Sequence, residues 1–423
     1  MTVPPAVLPR RSPSGAGLRS HASPIEMAGL ASAHSHAFQR ALRARTQTGS
    51  GRHDSFWTWR KLMYTLVDRL EPQDLFDIAA FAYAELAMSG VTAIGEFHYL
   101  HHARDGRPYA DRLEMAEALI AAAREAGVRL TLIRTVYLRA GHGQEPDPAQ
   151  RRFLDTDVHD ALRDVQDLAS RHRNEPLLNV AVAAHSVRAL DATALREVAR
   201  FARAEDLPLH MHVAEQPAEV EQCLAEHGCR PLRLAARCEM LDTRFVAVHA
   251  THLDEDEIAL LGAHRAAACI CRGTERDLGD GLPPIGPLLR AGAKLCTGTD
   301  SHCAADAFDE IRAIELDERC RTLTRSTIAA EQLLEIGTCN GYEALGMPVA
   351  ACGADRVLLR GDDAALCGIS DALLPQALVY AATARAVQQV SVDGRIIVSD
   401  GVHRRFEPLR ERYLRCLRRL ELL

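Results

Sequence analysis

The chain has 423 residues, 47% of them hydrophobic and 25% charged, which is enough apolar material for a large core. A net charge of −7 with no dense Lys/Arg block argues against nonspecific binding to nucleic acid or anionic membranes, and no apolar run reaches the roughly 18 residues of a bilayer span. All twelve cysteines lie from Cys223 onward without a CxxC pair, so reduced, mostly buried thiols and a cytoplasmic location are expected.

Residues 1–28 are rich in Pro, Ser and Gly and show no sustained period, so they read as an irregular leader without strands. Arg10 and Arg11 are followed by no apolar segment, which is unlike a secretory signal. From residue 29 to 325 short apolar runs alternate with stretches of helical period. The runs fall at 29–34, 91–97, 130–137, 178–184, 208–213, 245–249, 267–271 and 294–299. Between them, "DRLEMAEALIAAAREAG" carries a helical apolar stripe and stops on Gly127. Eight strand-then-helix units with near-continuous apolar strands predict an α/β fold, a closed (β/α)8 TIM-like barrel. No GxGxxG follows the first strand, which disfavours an open doubly wound sheet. Residues 326–423 read as a helix, a small β appendage with a hairpin turning at Asp393–Gly394, and an amphipathic C-terminal helix. With a strandless leader, the appendage reads as truncated and the hairpin as short of pairing partners.

Barrel chemistry sits at the C-terminal ends of the strands. In "ASAHSHAFQRAL", strand alternation points His34 and His36 the same way, as two ligands of one metal ion require. His185 ends the fourth strand, His212 lies in the fifth with Glu215 beyond it, His249 ends the sixth, and Asp300 follows the eighth. His34, His36, His212 and Asp300 form a three-nitrogen, one-oxygen set suited to Zn2+. His210 is a rival to His212 that spacing alone does not separate. His98, His101 and His102 read as solvated loop residues.

The HxH, the histidines of "HVAE" and "VHATH", and the aspartate of "GTDSH" resemble the amidohydrolase superfamily in its deaminase-like branch, a metal-dependent hydrolase barrel. Its binuclear members carry a bridging lysine at the end of strand four; "AAHSVRA" has none, which implies one metal ion. In order, "HSHAFQRA", "DSFWTWRKLMY", "EFHYLHH", "AHSVRA", "HMHVAEQ", "VHATHLD" and "LGDG" are similar to the formimidoylglutamate deiminases of histidine degradation, across roughly residues 32–320. That resemblance implies zinc-dependent release of ammonia from a small dicarboxylate, by a cytoplasmic homodimer. It places metal ligands at His34, His36, His212 and Asp300. Asp300 would also act in catalysis with Glu215 and His249, and Gln39, Arg60, Tyr99, His185 and Arg188 would hold substrate. Arginine suits that last task because its planar fork grips a carboxylate with two bonds.

Three departures from the family pattern stand out. The leader is short and lacks a Pro-Gly turn before the HxH. "CICRGTERDLGDG" has Arg272 and Gly273 in place of Pro-Thr, and Asp277 in place of Asn, in a loop expected to face the barrel mouth. Residues 321–350 match poorly. Two alternatives therefore stand beside the deiminase: another deaminase of the superfamily, acting on a guanidino acid or a nucleobase, and a non-catalytic barrel that retains the metal site.

Overall fold

The apolar runs become a ring of strands. The computed structural model describes residues 8–11, 22–47 and 56–423. Its strands are β1 (Arg10–Arg11), β2 (Ile25–Ala28), β3 (Leu30–Ser35), β4 (Val91–His98), β5 (Arg129–Val136), β6 (Leu178–Ala184), β7 (Leu209–Val213), β8 (Phe245–His249), β9 (Ala267–Ile270), β10 (Lys294–Thr297), β11 (Arg356–Leu359), β12 (Val387–Val392), β13 (Arg395–Ser399) and β14 (Val402–His403). Strands β3 to β10 pair in chain order as one parallel sheet, each within two residues of the run that predicts it. Every residue of β3, β4 and β5 is buried, as expected for parallel strands covered on both faces. The ring closes at its C-terminal end, where Ser35 bridges Asp300 and the amides of Thr299 and Asp300 both donate to His34 O at 3.0 Å. Gly298 permits that approach: a Cβ there would stand 2.8 Å from His34 Cβ and 2.9 Å from Cys271 Sγ.

The leader is corrected by the structure. Its described part holds two strands of a six-stranded antiparallel sheet ordered β1-β2-β11-β12-β13-β14; residues 1–7 and 12–21 lie outside the described residues. Met27 pairs with Val357 and Glu26 with Leu358. Only Gly29 separates β2 from β3, so β2 falls in the segment that reads as irregular leader, and its partner β11 lies near the other end of the chain. Arg11 is buried, donating to Ser23 O at 3.1 Å and Ile369 O at 2.8 Å. The appendage is therefore not truncated. The β12–β13 hairpin turns at Asp393 (φ 48°) and Gly394 (φ 76°), the left-handed pair of a type I′ turn, and it lies inside the sheet between β11 and β14.

One buried ion pair ties sheet to barrel. Asp355, fully buried before β11, accepts both forks of Arg129 from β5 at 2.9 Å, the Tyr342 hydroxyl at 2.6 Å and the Asp393 amide at 2.9 Å. Asp355→Ala leaves a buried guanidinium uncompensated and is expected to cost about 3–5 kcal/mol of stability, measured as a lowered denaturant midpoint. The C-terminal helix Phe406–Arg419 packs on the barrel by stacking Tyr413 on Phe81. All twelve cysteines are free and nine are buried. No helix among the described residues is long and apolar enough to cross a membrane.

Candidate active site

The strand ends turn the predicted residues inward through unusual backbone. His249 (φ 70°) and Asp300 (φ 47°), together with Ala214 (φ 49°) just before Glu215, all hold left-handed conformations. These are costly for residues other than glycine and persist where the surrounding structure enforces them. One cavity is lined by His36, Gln39, Arg60, Tyr99, His185, Arg188, His212, Glu215, His249 and Asp300. His34 lies just beneath, fully buried.

Four of these side chains converge. His212 Nε2 is 3.2 Å from His34 Nε2, and Asp300 Oδ1 is 3.5 Å from His34 Nε2 and 3.4 Å from His36 Nε2. Two of the far nitrogens are occupied, His36 Nδ1 bonding Phe97 O and His212 Nδ1 bonding His185 O, each at 3.0 Å, while His34 Nδ1 has no partner among the described residues. A carbonyl fixes Nδ1 as the protonated nitrogen, so both Nε2 lone pairs point at the centre. Burial lowers the proton affinity of all three imidazoles, His34 to about 3. His34, His36 and Asp300 form one buried group able to hold a divalent cation, and His34 forms another with His212 and His249, so His34 is common to both. His210 is corrected as a rival ligand. It faces the same interior but about 6.5 Å lower, two residues along the strand, and its Nε2 bonds Ala344 O at 3.0 Å.

Beside this cluster stand His249 and Glu215, with 3.6 Å between His249 Nε2 and Glu215 Oε1 and 3.7 Å to Asp300 Oδ2. Burial pushes Glu215 above the ordinary carboxyl range, with His249 partly opposing it. For His249, burial is outweighed by Glu215, Glu275 and Asp300, which push it up to about 10. Glu275 is a residue the sequence reading passes over. It is fully buried, lies 3.3 Å from His249 Nδ1, and accepts the Cys271 amide at 2.9 Å.

The opposite wall is cationic and aromatic. Arg60 donates to the Tyr64 hydroxyl at 2.5 Å. Arg188 has a buried Nε without a hydrogen-bond partner among the described residues. Gln39 reaches the Tyr99 hydroxyl at 3.3 Å, leaving its own Oε1 unpartnered. Tyr64, Tyr137, Phe153 and Leu278 also line the cavity; Tyr64 and Leu278 fall within the quoted strings without being singled out there, and Tyr137 and Phe153 carry no sequence signal of their own. His98, His101 and His102 are corrected as well. They are buried rather than solvated, with His101 Nε2 2.7 Å from the buried Arg134, and none lines the cavity.

The sequence profile of the amidohydrolase family matches residues 25–397. The chain belongs to the amidohydrolase family. It is 36% identical over 392 residues to a formimidoylglutamate deiminase of Pseudomonas aeruginosa, covering 89% of this chain and 85% of that protein. It is 28% identical over 397 residues to a 5′-deoxyadenosine deaminase of Methanoregula boonei, covering 90% and 80%. A solved amidohydrolase from Brucella melitensis superposes with a TM-score of 0.87 at 31% identity, covering 94% of this chain and 90% of that one. The protein is a hydrolase acting on C–N bonds.

The altered segment after β9 is helical over Arg272–Leu278 and lines the cavity with Leu278, but its changed positions do not. Arg272 is buried behind the site, bonding Glu275 at 2.6 Å and Asp317 at 2.7 Å. Asp277 bonds Gln47 at 2.7 Å near the surface. The Arg272 substitution thus supports the residue that orients His249, and neither change lines the cavity.

Proposed function

We propose that the protein hydrolyses N-formimidoyl-L-glutamate to N-formyl-L-glutamate and ammonia, as a step of histidine degradation, with one zinc ion held by His34, His36, His212 and Asp300. The observation that carries this reading is Arg188, a half-buried arginine that lines the same cavity as the histidine cluster, its buried Nε without a hydrogen-bond partner and its guanidinium without an ion pair among the described residues. A buried donor without a partner is costly, and a substrate carboxylate removes that cost. Arg60 at the same wall suits the second carboxylate.

The remaining groups match the chemistry. A zinc ion bound there would supply a water whose pKa is lowered towards about 7. Asp300 takes the proton of the attacking water through Oδ2, the oxygen turned to His249. His249, whose proton affinity its carboxyl neighbours Glu215, Glu275 and Asp300 raise, steadies the negative charge that develops on the attacking oxygen. Glu215, whose burial raises its proton affinity above the ordinary carboxyl range, passes a proton to the nitrogen that leaves as ammonia. The C–N bond to that nitrogen breaks as the carbon gains oxygen.

The test is ammonia release by the purified, metal-analysed protein from formimidoylglutamate, a guanidino acid and 5′-deoxyadenosine in parallel. Formimidoylglutamate is expected to be the preferred substrate. Replacing Arg188 with Met is expected to lower kcat/KM for it by about 30–1000-fold, the value of a desolvated charge pair at ~2–4 kcal/mol. Deamination of the nucleoside alone overturns the reading.

A further inference from the structure

The cavity wall carries a donor whose direction the fold fixes from outside the site. Tyr137, at the end of β5, is 2% exposed and lines the cavity, its ring set edge-on to His185 with centroids 4.5 Å apart. Its hydroxyl meets Gln150 Nε2 at 3.1 Å. Either partner in such a contact can donate unless the amide's orientation is settled, and here it is settled. Gln150 is the fourth residue of a capping box: Asp147 N donates to Gln150 Oε1 at 2.8 Å, while Asp147 Oδ1 receives the Ala149 amide. The Gln150 oxygen is thereby used, and its NH2 group must face Tyr137. The tyrosine oxygen accepts that bond, so its own proton points elsewhere. No acceptor for it exists among the described residues.

Arg188, Arg60 and Tyr64 line the same cavity as Tyr137, and the Tyr64 hydroxyl is likewise occupied as an acceptor, by Arg60. We infer that Tyr137 is a specificity-determining residue, locked by Gln150 as an O–H donor to the substrate carboxylate that Arg188 holds. This inference rests on the deiminase reading above. Its physical content is that a neutral donor sharing a carboxylate with a guanidinium rejects a carboxamide or a nucleoside in that position, because the buried donors are then left mismatched. Gln150 touches no substrate and is a positioning residue.

The experiment measures steady-state ammonia release by the intact, metal-loaded chain from formimidoylglutamate and from its two monoamides. Tyr137→Phe, which keeps the ring and its packing, is expected to raise KM for formimidoylglutamate about 10–100-fold with kcat within about twofold. The same substitution is expected to leave KM unchanged for the monoamide that lacks the carboxylate bound at Arg188. Gln150→Glu places a second acceptor against Tyr137 and turns its proton away from the cavity. That variant is expected to reproduce the KM rise, and adding Tyr137→Phe to it is expected to produce no further rise. A KM for Tyr137→Phe within twofold of wild type overturns the inference while the deiminase reading stands. Additive effects of the two substitutions, or equal losses on both monoamides, overturn it as well. A wild-type protein that releases no ammonia from formimidoylglutamate overturns the reading, and the inference falls with it.

Discussion

Glu215→Gln is expected to lower kcat by about 10²–10⁴-fold, the usual worth of a positioned general acid, while metal content stays at the wild-type level. The substitution keeps the shape of the side chain and the Glu215 N–H bond to Glu219 at 3.2 Å. Glu215 faces His249 rather than the centre of the histidine cluster, so the cation has no reason to leave. Binding of the product N-formylglutamate should also survive, since both arginines that line the cavity are unchanged. Activity within tenfold of wild type would remove Glu215 from proton delivery and leave His249 as the donor to the leaving nitrogen.

Asp300→Ala is expected to have a larger effect, at least about 10⁴-fold on kcat, because it removes a ligand and a proton acceptor together. Asp300 Oδ1 faces His34 and His36 while Oδ2 faces His249, at 3.4–3.7 Å. The two oxygens therefore serve the cation side and the proton side respectively. Asp300→Asn separates the roles: it retains an oxygen ligand, so partial metal content with little turnover is expected. Metal analysis of both variants beside their ammonia release checks the division. A Asp300→Asn protein with wild-type kcat would exclude the carboxylate as proton acceptor.

The barrel was legible because its signal is local. Each strand is a short apolar run, β3, β6, β7, β8 and β10 carry a residue with ligand or acid chemistry at or just past their ends, and topology alone carries those ends to one mouth. Residues whose role is fixed by distant partners left no such trace. Glu275 lies in a loop that is conspicuous in sequence, yet nothing in its spacing ties it to His249, 26 residues earlier. Tyr137 reads as one more apolar strand residue until Gln150 fixes its proton. The strand β2 was missed because its register is set by β11, and Gly29 alone divides it from the barrel. His98, His101 and His102 misled in the other direction: a histidine-rich loop reads as wet, whereas here it packs around Arg134, itself paired with Asp155 and Asp164.

The most direct test is the metal content of the purified chain, followed by activity through a cycle of chelation and restoration. One equivalent of a divalent ion per chain is expected, lost with all ammonia release on chelation, restored with it on adding zinc, and absent from a His34→Ala/His36→Ala double variant. Full turnover by the chelated protein, or a full equivalent of metal held by that double variant, would contradict the assignment of these residues to a catalytic cation.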